Sequence, residues 1–109
     1  MESLDALKAN LFRSMAHPAR IRILELLAIQ DRSVTELLPA VGLEASNLSQ
    51  QLTALRRAGI VSAHRHGNAV TYSVASAHIA ALLAEARTVL SGLLDEQAGA
   101  LGKSAVDAS

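Results

Sequence analysis

Near the start of the chain apolar residues recur at helical spacing, at Leu4, Leu7, Leu11, Phe12 and Met15, and predict an amphipathic helix over about Ser3 to Met15. His17-Pro18 ends it. Proline disfavours helical backbone in the residue before it but suits the first turn of a new helix. A second helix is therefore expected from Pro18 to about Ile29, with Ile21, Leu24, Leu27 and Ala28 as its buried stripe. Ser33-Val34-Thr35-Glu36 has the form of a capping box and opens a third helix that runs to about Val41, with Pro39 late in it. Gly42 supplies the left-handed backbone that a tight helix-to-helix turn requires. A fourth helix, from Glu44 or Ala45 to Arg57, turns Leu48, Leu52 and Leu55 inward. It stops at Arg57-Ala58-Gly59, its last-turn cations suiting the negative end of the helix dipole.

After Gly59 the period changes from helical to alternating, with Val61, Ala63 and Arg65 on one face and Ser62, His64 and His66 on the other. Gly67-Asn68 is a two-residue hairpin signal, and Ala69 to Val74, with Val70, Thr71, Tyr72 and Val74, makes the return strand. Helical spacing resumes at Ser76 or Ala77, with Ile79, Leu82, Leu83, Ala86, Leu90, Leu93 and Leu94 on one broad stripe. From about Ala98 the chain is Gly, Ala and Ser with isolated charges. Residues 1–97 read as one domain and 98–109 as a flexible tail.

The expected class is mainly α with a β-hairpin: helix, helix, helix, tight turn, helix, hairpin, helix. Two helices joined by a short glycine-containing turn describe a helix-turn-helix, here Ser33 to Val41, the turn at Gly42-Leu43, and Ala45 to Arg57. A hairpin directly after the second of them makes the motif winged. That second helix exposes Ser46, Asn47, Ser49, Gln50, Gln51 and Thr53, short or amide side chains that can hydrogen-bond base edges without filling a major groove.

Charge sharpens this picture. The 109 residues carry ten Lys and Arg against ten Asp and Glu, a net charge of zero, which alone argues against a nucleic-acid partner. The distribution argues the other way. Ala45 to Ala84 holds no acid but includes Arg56, Arg57, His64, Arg65 and His66, so a basic surface can form locally. Double-stranded DNA is the expected partner. Ser46, Asn47, Ser49, Gln50 and Gln51 are candidates for base edges, Arg20, Arg56 and Arg57 for phosphates, and His64, Arg65 and His66 for the wing. A winged helix can also serve protein interaction alone, which the acid-free segment argues against.

Composition narrows the chemistry. With no cysteine, disulfides, thiolate metal sites and thiol switches are excluded. No nucleophile elbow, phosphate loop or paired carboxylate is present, so no enzyme is expected. The acidic Glu2 and Asp5 stand where a signal peptide would be basic, and no apolar run is expected to span a bilayer, so the protein reads as cytoplasmic with no membrane partner. Phe12 and Tyr72 are the only aromatics, leaving a core of aliphatic side chains.

His17-Pro18-Ala19-Arg20-Ile21-Arg22-Ile23-Leu24, Val34-Thr35-Glu36-Leu37, Leu48-Ser49-Gln50-Gln51-Leu52, Arg57-Ala58-Gly59-Ile60-Val61, Arg65-His66-Gly67 and Tyr72 together resemble the ArsR/SmtB family of bacterial repressors. The resemblance spans about Leu11 to Leu94. It implies a homodimer held by its first and last helices, binding a pseudo-palindromic operator and released by an inducer. Leu4, Leu7, Leu11, Ile79, Leu82, Leu83, Ala86, Leu90 and Leu93 are the implied interface. The resemblance also shows where metal ligands would stand, and here those places hold Leu38 and Ala40, then Ser76, His78, Val89 and Gly92. Only His78 could bind, so no metal and no other cofactor is expected. A His64 and His66 pair on one strand face would need a third ligand from elsewhere.

Overall fold

The computed structural model describes the backbone of residues 1–108 and the side chains of residues 1–99. In chain order the elements are α1 (Leu4–Met15), α2 (Pro18–Ile29), β1 (Arg32–Ser33), α3 (Val34–Val41), α4 (Ala45–Arg57), β2 (Val61–His66), β3 (Ala69–Val74) and α5 (Ala77–Ala108). The winged helix-turn-helix order expected from the sequence is the one observed.

Local chemistry places the boundaries. The Ser3 hydroxyl accepts from the Ala6 N–H at 3.1 Å and starts α1. His17 caps α2 through Nδ1, which accepts from the Ala19 N–H at 3.1 Å, while Pro18 fills a position whose N–H would otherwise be unpaired. The capping box of α3 is complete: the Ser33 hydroxyl accepts from the Glu36 N–H at 3.2 Å, and the Glu36 carboxylate accepts from the Ser33 N–H at 3.1 Å. Gly42, at φ +69°, closes α3 in the left-handed conformation. At the end of α4, Gly59 is also left-handed, its N–H reaching the Arg56 carbonyl and the Ile60 N–H the Leu55 carbonyl. This paired bonding drops Ile60 into the core, where it is 3% exposed.

The bonds from Ser33 hold the Glu36 carboxyl below its ordinary value, first the backbone N–H and then the hydroxyl. A carboxyl depressed in the folded state contributes stability above its unfolded value, and that contribution is lost as pH falls through the folded one. Glu36→Gln is therefore expected to flatten the acid limb of stability below about pH 5, read by urea denaturation across pH. Ser33→Ala should cost about 1 kcal/mol at neutral pH in the same assay.

The core gathers around α2, which lies against α3, α4, α5 and β3. Ile23, Leu24, Leu26 and Leu27 are buried, with Ile21 and Ala28 only half-buried. The single stripe expected from the sequence is thus too narrow, because a helix with neighbours on several sides must be apolar on several sides. Met15, Leu37, Leu48, Leu52, Leu55, Ile60, Val61 and Ile79 complete the cluster.

The sheet also has one strand more than expected. Its order is β1-β3-β2, the short β1 pairing antiparallel with Arg32 opposite Tyr72 and Ser33 opposite Thr71. The hairpin proper pairs Val61 with Val74 through to His66 with Ala69. Among the described residues Gly67 has positive φ and Asn68 does not, the pattern of a type II′ turn, whose twist matches that of the strands.

Ser76 caps α5 by accepting from the His78 N–H at 3.1 Å. Ile79 joins the core and Leu82 and Leu83 pack against it, but every residue from Ala84 to Gly99 is exposed. The helix continues to Ala108, past the point near Ala98 where the composition predicts fraying; the side chains of 100–109 lie outside the described residues. Contrary to the expectation from the sequence, Ala77–Gly99 is long and apolar enough to cross a membrane by length and composition. Glu85 and Arg87 sit mid-stretch, however, and Ile79, Leu82 and Leu83 of its first turns are docked on the protein core. The radius of gyration is 18.0 Å, against about 13 Å for a compact chain of this length. A long helix standing away from the core accounts for the excess.

Candidate nucleic-acid interface

Helix α4 divides into three faces. Leu48, Leu52 and Leu55 are buried and fix its orientation on the core. On the opposite side Ser46, Ser49, Gln50, Thr53 and Arg57, at spacings of three and four, form an exposed strip, flanked by exposed Arg56. Ser49, Gln50, Thr53, Ala54 and Arg57 line one shallow groove on this strip. The Thr53 hydroxyl donates to the Ser49 carbonyl at 2.8 Å, placing Thr53 in the surface, a member the candidate list from the sequence lacks. Its helical phase places it on the exposed face from sequence alone, although it is not among the base-edge candidates.

The flank between these faces holds Asn47 and Gln51, both half-buried. Gln51 accepts from Arg20 Nε at 2.8 Å and donates to Asn47 Oδ1 at 3.1 Å. Arg20 Nη1 also donates to the Ser14 carbonyl at 3.0 Å. Arg20 and Gln51, expected among DNA contacts, are thus hydrogen-bonded to one another on the half-buried flank of α4. Thirty-one positions separate them in sequence, and nothing in a local pattern announces such a pair.

The α4 N-cap is Glu44, which makes no side-chain cap bond. The hairpin carries the remaining candidates: His64, Arg65 and His66 are all exposed towards its tip. His64 Nε2 lies 3.3 Å from the Ser62 hydroxyl, which is 3.0 Å from the Ser73 hydroxyl across the strands. Among the described residues no three of His, Cys, Asp and Glu are grouped to hold a metal ion.

The apolar residues implied for dimerisation separate into two sets. Leu4, Leu7 and Leu11 on α1 are 66%, 52% and 39% exposed, and Leu90 and Leu93 on α5 are 57% and 50%. Ala86 is exposed as well. Ile79, Leu82 and Leu83 instead face the core of their own chain.

A tight helix-turn-helix with an exposed polar strip on its second helix, followed by a basic hairpin, defines a winged helix-turn-helix DNA-binding protein. Residues 17–63 match the model of the bacterial regulatory protein, arsR family. The chain is 60% identical over 101 residues to the HTH-type transcriptional regulator Rv0081 of Mycobacterium tuberculosis, covering 92% of this chain and 89% of that protein. The crystal structure of Rv0081 superposes with a TM-score of 0.82, at 61% identity over 90% of this chain and 99% of that one. The homodimeric winged helix-turn-helix DNA-binding domain of Mb0332 from Mycobacterium bovis gives a TM-score of 0.76, at 31% identity over 85% of this chain and 86% of that one. The transcriptional repressor BigR from Xylella fastidiosa gives 0.70, at 33% identity over 82% and 96%. The chain belongs to the arsR family of bacterial regulatory proteins, and it is a transcriptional regulator rather than an enzyme.

Proposed function

We propose that the protein is a repressor that binds an inverted-repeat operator as a homodimer and is released by an inducing signal, acting in the cytoplasm on chromosomal DNA. The polar strip of α4 carries this reading. Ser46, Ser49 and Gln50 lie at or near the N-terminal half of the helix, the part that meets base edges when such a helix enters a major groove. Arg57 and Arg56 stand at its far end, and Arg65 with His64 and His66 extends the cation-bearing surface along the hairpin.

Two exposed apolar faces in one small chain support the dimer. The leucines of α1 and of the outer part of α5 are each uncovered, and a second copy related by a two-fold axis covers both sets with the same contact made twice. Symmetry then presents two α4 helices to successive major grooves, roughly 34 Å apart, and demands a pseudo-palindromic site. The homodimeric state of the Mb0332 domain and the repressor role of BigR point the same way.

The direct experiment is selection from a randomised duplex library followed by gel shift on the recovered sequence. An inverted repeat with half-site centres one helical turn apart is the expected product. Arg65→Ala should weaken binding to all duplexes alike and lower the slope of log affinity against log salt by about one, the signature of a lost phosphate contact. An unchanged slope would remove Arg65 from the interface.

A further inference from the structure

We infer that Arg20 is a positioning residue that sets the hydrogen-bonding polarity of the reading helix, so that Asn47 meets the major groove through its amide N–H donors. The inference rests on the DNA-reading role of α4 proposed above and adds which base one of its residues selects.

An amide side chain can present either its oxygen or its nitrogen outward, and its partners decide which. Arginine has no such freedom, since every nitrogen of the guanidinium donates and none accepts. Arg20 is held in place by its bond to the Ser14 carbonyl, which belongs to the last turn of α1, where carbonyls lack a partner within the helix. From that anchor its Nε donates to Gln51, which forces the Gln51 oxygen towards α2. The Gln51 nitrogen must then point the other way, where it donates to Asn47 Oδ1. Two donations thus run in one direction, from Arg20 to Gln51 and from Gln51 to Asn47. The Asn47 oxygen is engaged by the protein, and its two amide N–H groups take no part in the relay. All three side chains are half-buried, which limits competition from water.

An asparagine with both ends free pairs bidentately with adenine, accepting from N6 and donating to N7. One whose oxygen is turned to a donor within the protein keeps a single lone pair there but both N–H donors for the groove, and is suited to an edge of acceptors. Guanine, with O6 and N7 side by side, presents that edge in the major groove. The structure therefore assigns guanine to Asn47 and makes Arg20, which touches no base, the residue that enforces the choice.

Two variants separate this role from others. Gln51→Glu keeps a partner for Arg20 but can only accept, so Asn47 must turn its nitrogen to the glutamate and its oxygen to the groove. Arg20→Gln removes the fixed donor and frees the Gln51 amide to take either orientation. Selection from a randomised duplex library should show the wild type preferring guanine at one position of each half-site by about tenfold. Arg20→Gln should reduce that preference to about threefold or less while leaving the salt slope unchanged. Gln51→Glu should move it to adenine or cytosine, which offer a donor there. The same base preference in all three proteins overturns the inference. So does an Arg20→Gln salt slope reduced by about one with preference intact, which would make Arg20 a phosphate contact after all. Should Arg20→Gln fail to fold, the switch in Gln51→Glu decides alone. A wild type that selects no sequence overturns the proposed function itself.

Discussion

A Leu90→Glu, Leu93→Glu double variant is expected to be a folded monomer that binds operator DNA at least about a hundredfold more weakly than the wild type. Both leucines are half exposed or more on the outer stretch of α5, where no described residue from Ala84 to Gly99 is covered by its own chain. Charge introduced there leaves the core of Ile23, Leu24, Leu48 and Leu52 untouched, so folding survives. Across a two-fold interface the same change introduces four carboxylates into apolar surroundings without partners, a cost of several kcal/mol. The DNA effect follows from linkage of sites. Two half-sites bound by one dimer gain the effective concentration of the second binding event, and two separate monomers lose it. Sedimentation at micromolar protein should give 11.4 kDa. A dimer with unaltered operator affinity would show that this face of α5 is not the contact.

The second large effect is on stability. Leu52→Ala should cost about 2–5 kcal/mol and lower the thermal midpoint by about 10–25 °C, because Leu52 is 1% exposed at the centre of the surface that fixes α4 on the core. A domain of this size has roughly 5–15 kcal/mol in all, so the loss is a large part of the whole. Thr53→Ala, one residue away on the exposed strip, should shift stability by only about 0.5 kcal/mol. Calorimetry on the two variants makes the comparison. Similar midpoints would mean that α4 is not seated through its leucines.

What could be read from the sequence was whatever local chemistry decides. The capping box at Ser33, the glycine at 42 and the leucines at 48, 52 and 55 act within a few residues of themselves, so pattern alone located both helices of the motif and the outward phase of Ser46, Ser49 and Gln50. Features made by distant neighbours were not legible. Ile23 and Leu26 are buried because α2 has neighbours on several sides, which one-stripe periodicity does not reveal. The apolar stripe of α5 showed which residues share a side but not that Ile79, Leu82 and Leu83 cover their own core while Leu90 and Leu93 stay bare. Arg20 read as a free cation because its partners lie on α1 and α4. A two-residue strand such as β1 is too short to carry a period at all.

That small strand has a mechanical effect out of proportion to its length. Ser33 is at once the last residue of β1, paired opposite Thr71 of the hairpin, and the cap from which α3 springs. At its other end the hairpin continues directly from the turn that closes α4, and Ala75 donates back to the Ile60 carbonyl at 2.8 Å. The wing is thus riveted at its base to both helices of the motif, while its tip, from Arg65 to Ala69, extends beyond the rivets. The distance between reading helix and wing is set before any duplex arrives. In the proposed dimer, a signal that weakens DNA binding would then act by swinging this whole assembly relative to its twin, as a lever moves a tool, rather than by reshaping the tool.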